Sequence, residues 1–216
     1  MEGKAYIAMN QVEKTIKGRC VLDHISLEIK KGEVLGLRGI NGSGKTMILR
    51  ALAGLIRYQG EILIEGKKRE EMDPAWEIGA LIEQPGFLPE FTGKENLQLL
   101  EMLREHKTEG EIEKTMEELG LDPDDTRKYG KYSLGMKQKL GIVQAVIYSP
   151  DLILLDEPTN ALDQDGIDRL KEAVRKRKEQ NCTCVIASHD MDFLRETADR
   201  IIAIEEGRIA DERKEK

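Results

Sequence analysis

The chain has 216 residues, of which 39% are hydrophobic and 35% charged, enough length for one large domain with a well-solvated surface. Its formal net charge of −7 argues against a nucleic-acid binder, which carries a basic footprint. No stretch reaches the roughly 18 consecutive apolar residues that cross a bilayer, and Met1 to Asn10 lacks a signal-peptide pattern, so the expectation is a cytoplasmic chain that meets a membrane only through a partner.

The first thirty residues read as strands. In Ile25-Ser26-Leu27-Glu28-Ile29 the apolar residues alternate, which predicts a half-buried antiparallel strand. Val34-Leu35-Gly36-Leu37 predicts a strand running into a glycine-rich turn, and a helix follows from near Lys45 to near Gly54. Glu61-Ile62-Leu63-Ile64 is a further alternating strand, closed by Gly66. From Pro85 to Pro150 the pattern is mostly helical. There Ile112, Met116 and Leu119 share one helix face, Gly120 ends that helix, and Asp122-Pro123-Asp124-Asp125 forms a loop. Leu152-Ile153-Leu154-Leu155 is a continuous apolar run, the pattern of a parallel strand covered on both faces. A charged helix is expected from Asp165 to Gln180, then strands at Val185–Ala187 and Ile201–Ile204, and a frayed charged tail from Asp211 to Lys216. The order is that of an α/β core (residues 1–84 and 151–216) with a helical subdomain inserted at residues 85–150. Cys182 and Cys184 flank Thr183 and so point to one face of a strand. With Cys20, they are expected to be reduced cysteines in or near the core.

Gly39-Ile40-Asn41-Gly42-Ser43-Gly44-Lys45-Thr46 matches the phosphate-loop pattern G-x-x-x-x-G-K-[ST] in full, after a predicted strand and opening a helix. The glycines let backbone N–H groups turn inward around phosphate oxygens, and the helix N-terminus adds positive potential. Lys45 is placed for the β- and γ-phosphates and the Thr46 hydroxyl for Mg²⁺. Asp156 and Glu157 close the buried strand at Leu155. An acid pair there is costly to desolvate unless it engages a metal, a water or a partner. Asp156 fits a Mg²⁺-holding role and Glu157 a general base polarising the attacking water, the alternative being an acidic strand end facing solvent. His189 in Ala187-Ser188-His189-Asp190 is by itself a surface or capping residue; beside a γ-phosphate it becomes a candidate sensor. Gln84, ending Ala80-Leu81-Ile82-Glu83, is by itself a polar strand boundary.

Taken in order, these motifs resemble those of ABC transporter nucleotide-binding domains over nearly the whole chain. The most discriminating segment is Tyr132-Ser133-Leu134-Gly135-Met136-Lys137-Gln138, upstream of Asp156. It is similar to the family signature LSGGQ in a variant ending G-M-K-Q, common in export-type and drug- or peptide-resistance members, with Leu134 where the first glycine is usual. Asp156-Glu157-Pro158-Thr159-Asn160-Ala161-Leu162-Asp163 resembles the joined Walker B and D-loop run, with Asn160 where serine is more usual. Gln84 falls at the Q-loop position, which adds it to Thr46 and Asp156 as a metal-site residue, and His189 falls at the switch-histidine position.

The resemblance implies a P-loop NTPase core with a parallel sheet, an N-terminal antiparallel β-subdomain and an inserted helical subdomain. It implies ATP and Mg²⁺ as cofactors and a head-to-tail dimer with a second ATPase subunit, identical or a sister chain. In that dimer Ser133 and Gly135 touch the γ-phosphate held by the other subunit. A transmembrane permease is the implied further partner, at the inner face of the cell membrane, and no nucleic acid is expected. Where the family stacks an aromatic ring on adenine, this chain has Ile16; either Ile16 covers the base by apolar contact or another residue such as Tyr6 does. The leading expectation is the energy-coupling subunit of an exporter. The alternatives are a soluble ABC ATPase driving a cytosolic machine and a nucleotide kinase, which leaves the signature unexplained.

Overall fold

A computed structural model describes residues 5–72, 77–83, 85–103 and 110–214. Two sheets sandwich one helix. The first is antiparallel, ordered β2-β1-β4-β5, from β1 (Ile7–Ile16), β2 (Arg19–Ile29), β4 (Gln59–Ile64) and β5 (Lys67–Lys68). The second is ordered β10-β9-β3-β8-β7-β6. It comprises β3 (Val34–Arg38), β6 (Ile78–Leu81), β7 (Leu152–Asp156), β8 (Thr183–Ser188), β9 (Arg200–Glu205) and β10 (Arg208–Lys214). Strands β6, β7, β8, β3 and β9 are parallel, and β10 turns back antiparallel on β9.

Strand parity explains the layering. Leu152, Leu154, Val185 and Ala187 face the antiparallel sheet and α1 (Lys45–Leu52), forming one apolar cluster with Ile7, Ile25, Ile48 and Leu49. Ile153, Leu155, Cys184 and Ile186 project from the opposite face into a second cluster under the remaining helices. A central parallel strand with both faces covered must be apolar at every position, which is why β7 reads as an unbroken run. In β2 the outer face is solvated, so buried Ile25, Leu27 and Ile29 alternate with exposed Ser26 and Glu28.

The other helices are α2 (Gly93–Glu101), α3 (Glu111–Glu118), α4 (Leu134–Val146), α5 (Gln164–Glu179) and α6 (Met191–Thr197). Thr92 and Glu95 close a reciprocal capping box on α2. Ile112, Met116 and Leu119 are buried on one side of α3, and Gly120 leaves it at φ +70. The apolar C-terminal half of α4, with Leu140, Val143 and Val146 fully buried, packs on β6 and β7.

Two expectations change. The tail from Asp211 is not frayed up to Lys214: it continues β10, its register running from Asp211 opposite Ala203 to Lys214 opposite Arg200, so ladder hydrogen bonds hold a charged segment that lacks apolar anchors. Cys182 and Cys184 are buried in the same cluster, as expected, but Cys20 is exposed, its thiol 3.1 Å from the Leu22 carbonyl oxygen.

Candidate functional site

Strands β3, β7 and β8 end on one edge of the parallel sheet. Arg38 stands opposite Ser188, and Asp156 opposite Ala187. The segments leaving these strands therefore converge there: the phosphate loop after β3, Glu157 after β7, His189 after β8. Ligands of open α/β sheets bind outside the carboxyl ends of the strands.

The loop is fixed from behind. A side chain on Gly39 would meet the Ile204 carbonyl oxygen at 2.4 Å, so only glycine lets the chain turn this close to β9. The Gly207 N–H, in the β9–β10 turn, donates to the Ser43 carbonyl at 2.8 Å. The Lys45 side chain is 5% exposed, and its ammonium donates to the Gly39 and Ile40 carbonyls at 2.6 and 3.2 Å. It also lies 3.4 Å from Glu157 Oε1. A buried ammonium so close to the loop carbonyls is a point charge placed at the loop's centre.

Opposite the loop, the Thr46 hydroxyl donates to Asp156 Oδ2 at 2.8 Å. Burial pushes the Asp156 carboxyl above its ordinary range, the Thr46 bond opposes that, and the neighbouring Glu157 charge adds to it. Glu157 leaves the strand at φ +47 and donates its N–H to the Ala187 carbonyl at 2.8 Å. Its Oε2 accepts from the His189 main-chain N–H at 3.2 Å and lies 2.7 Å from His189 Nδ1. Gln138 of α4 braces the same turn, donating to the Glu157 and Pro158 carbonyls at 3.2 and 3.1 Å.

Among the described residues, Ser43 Oγ, Asp156 Oδ1 and Glu157 Oε1 are buried with no hydrogen bond, Glu157 Oε1 having only the Lys45 ammonium at 3.4 Å. Buried polar atoms are ordinarily satisfied, so three at one site mark a place that engages a ligand. Asp156 Oδ1 and Thr46 Oγ1 are hard oxygen donors suited to Mg²⁺. The cleft that Thr46, Asp156 and Glu157 line holds about 600 Å³. Its floor is Asn41, Gly42, Gly44, Lys45, Thr46 and Met47, its far end Asp156 and Glu157, and its outer wall Ile16, Lys17, Arg19 and Val21.

The structure thus brings together Lys45, Thr46, Asp156, Glu157 and His189. It does not bring Ser133 and Gly135 into this cleft. They sit at the N-terminus of α4, where exposed Ser133 accepts from the Met136 N–H at 3.2 Å, and a side chain on Gly135 would meet the Ala161 carbonyl oxygen at 2.7 Å. Gln84 lies outside the described residues. Tyr6 is buried beneath Lys31, whose ammonium donates to its hydroxyl at 3.0 Å, and it lines no part of the cleft; Ile16 does. Sequence reasoning missed Gln138 as a brace, Lys17, Arg19 and Val21 as walls, and Met47 in the floor. The signal for the wall is the Lys17-Gly18 pair, a two-residue hairpin turn that faces its neighbours across the ribbon.

A phosphate loop facing an acid pair across the carboxyl ends of parallel strands defines a P-loop NTPase. The ABC transporter family model matches residues 22–160. An uncharacterised ABC transporter ATP-binding protein of Bacillus subtilis, YybJ, is 37% identical over 94% of both chains. The bacitracin transport ATP-binding protein BcrA of Bacillus licheniformis is 37% identical over 88% of this chain, which spans 64% of that relative. The dimeric structure of a post-hydrolysis ATP-binding cassette bound to ADP and Pi superimposes with a TM-score of 0.87, at 26% identity, covering 97% of this chain and 99% of the other. The chain belongs to the ABC transporter family and is an ATP-binding subunit that hydrolyses ATP.

Proposed function

We propose that the chain is the motor of an exporter whose membrane-spanning part is a separate permease, working at the inner face of the cell membrane. The observation that carries the ATP-hydrolysing part of this reading is the line from Thr46 through Asp156 and Glu157 to His189, set against a buried Lys45. In it Lys45 and the loop amides hold the β- and γ-phosphates, with Gly39, Ile40, Asn41, Gly42, Ser43 and Gly44 shaping the cradle. Glu157 takes the proton of the attacking water, and His189 aims the carboxylate and senses the γ-phosphate. Mg²⁺, held by Thr46 and Asp156 with Gln84 completing the set, would neutralise charge between the β- and γ-phosphates.

Ser133 and Gly135 lie outside the cleft on an exposed helix N-terminus. In this reading they complete the site of a second ATPase subunit, identical or a sister chain. Dimeric cassettes among the structural neighbours support such a pairing. Export is supported by the signature variant and by relatives named for transport: the bacitracin protein and the lantibiotic transport ATP-binding protein SrtF of Streptococcus pyogenes, 35% identical over 94% of this chain. Among the described residues no helix is long and apolar enough to cross a membrane, consistent with a permease in another chain.

Detergent extraction of the native host with the chain as bait tests the reading. The expected result is a co-purifying integral membrane protein that stimulates ATP hydrolysis. Recovery of a stable soluble assembly with no membrane protein would move the chain to a cytosolic machine.

A further inference from the structure

None of the described residues lining the cleft is aromatic, yet an ATP site must cover a flat heteroaromatic base. The wall facing the phosphate loop is a hairpin tip. Its turn residues, Lys17 and Gly18, both sit at positive φ, the requirement of a tight I′ turn. That turn makes Ile16 and Arg19 direct register partners across β1 and β2. Such partners project from one face of the ribbon with Cβ atoms roughly 4.5–5.5 Å apart, so their side chains lie side by side. Both line the cleft.

The Arg19 side chain is also uncommitted, unlike most of the other arginines. Arg69, Arg177, Arg200 and Arg208 each hold a carboxylate or a carbonyl. Among the described residues the exposed side chains of Arg19 and Arg57 make no hydrogen bond or ion pair, and of these two only Arg19 lines the cleft. Its neighbours on the wall, Ile16 and Val21, are apolar and offer a base cover without polar competition. The phosphate end of the cleft has its own buried cation in Lys45. A guanidinium is planar and weakly hydrated, and it stacks on aromatic faces in a way an ammonium does not.

We propose that Arg19 lays its guanidinium plane on the nucleobase, with Ile16 packed beside it, so that a cross-strand pair replaces an aromatic ring. This rests on the cleft being the nucleotide site.

The experiment is a calorimetric titration of ATP and of inorganic tripolyphosphate, each with Mg²⁺, on the full chain and on Arg19→Ala, Arg19→Lys and Arg19→Phe. The expected result for Arg19→Ala is an ATP affinity lower by roughly 3- to 30-fold, with tripolyphosphate unchanged. Arg19→Lys keeps the charge but not the plane and should stay weak; Arg19→Phe restores a plane without charge and should recover ATP binding. Equal loss for both ligands, or recovery with lysine and not phenylalanine, would overturn the stacking role in favour of a phosphate contact. Unchanged ATP binding in all three variants would remove Arg19 from the site. The lysine and phenylalanine arms decide the matter from ATP alone. Lys45→Ala is the separate control: if it leaves ATP binding intact, the phosphate-loop reading fails and the proposal falls with it.

Discussion

Glu157 and His189 meet through a single carboxylate oxygen, Oε2, which lies 2.7 Å from the ring Nδ1 and accepts the His189 main-chain N–H at 3.2 Å. The two residues follow adjacent parallel strands, so the carboxylate is aimed by the sheet and not by a mobile loop. Glu157→Gln keeps an acceptor for that N–H but loses the ability to take a proton. Hydrolysis is expected to fall by roughly 10²- to 10⁴-fold, while ATP affinity stays within a few-fold. Phosphate release and nucleotide titration on the same preparation check this. A near-normal rate would assign the base to another group.

Asp156 carries a cost in the free protein. Burial raises its pKa, the Thr46 bond only partly offsetting it. A carboxyl raised by folding contributes stability below its unfolded pKa and loses that contribution as pH climbs through the raised value. At neutral pH the ionised group therefore opposes folding. Asp156→Asn keeps an acceptor for Thr46 and removes the charge. It is expected to raise the Tm of the nucleotide-free chain at neutral pH, about 2–4 °C for each kcal/mol gained at this size. The advantage should shrink on acidification, as the wild-type carboxyl takes up its proton, and Mg²⁺-dependent hydrolysis should be lost throughout. Calorimetric scans at neutral and acid pH measure the difference; equal Tm values at both would show that the site accommodates the charge without penalty.

Much of the fold and the site was legible because parity and punctuation carry it. The unbroken run Leu152–Leu155 is typical of a parallel strand with two covered faces, and β7 lies between β6 and β8. The phosphate loop announced its own strand and helix, and Lys45, Thr46, Asp156 and Glu157 meet where β3 and β7 end. The cleft's outer wall was hidden because it depends on register. Nothing in Ile16-Lys17-Gly18-Arg19 says which face of the ribbon looks at the loop until β1 and β2 are paired and the tip is placed. Gln138 was hidden for a related reason: its partners are backbone carbonyls, which leave no trace in residue type. The charged tail was misjudged because polar composition suggests solvent, whereas an edge strand needs only its ladder.

The start of α4 gives a test that separates binding from turnover. Gly135 faces the Ala161 carbonyl oxygen so closely that a methyl group would sit 2.7 Å from it, inside any normal contact distance. Gly135→Ala must push the helix N-terminus away from that backbone. Ser133→Arg instead crowds the exposed end and removes a helix cap worth about 1 kcal/mol. Because neither residue lines the cleft, both variants are expected to bind ATP as single subunits with near wild-type affinity and to lose most hydrolysis. If the proposed two-subunit site forms, mixing Ser133→Arg with Lys45→Ala subunits leaves at most one intact composite site in each mixed dimer, so partial recovery at most is expected. Failure of Ser133→Arg to bind ATP at all would make the segment a local structural element and remove the two-subunit site.

Base selectivity is set by the groups the outer wall offers. Ile16 and Val21 bring no polar groups to the base edge, and Lys17 and Arg19 are donors on long, adaptable stems. Discrimination between adenine and guanine needs rigid, aimed donors and acceptors, since each purine presents acceptors that a flexible cation can find. Phosphate contacts, blind to the base, are left to dominate affinity. GTP is therefore expected to bind within about tenfold of ATP, a difference of about 1.4 kcal/mol or less. Ile16→Tyr adds a π-face beside Arg19, and stacking of a base on an aromatic ring is worth roughly 1–3 kcal/mol. The substitution should tighten ATP and GTP by similar factors and leave their ratio nearly unchanged. Paired titrations of both nucleotides on wild type and variant measure this. A wild-type preference for ATP above about a hundredfold, roughly 2.7 kcal/mol, would require an edge-reading group that this wall does not contain. Tightening of ATP alone would show that position 16 reads the base and does more than cover it.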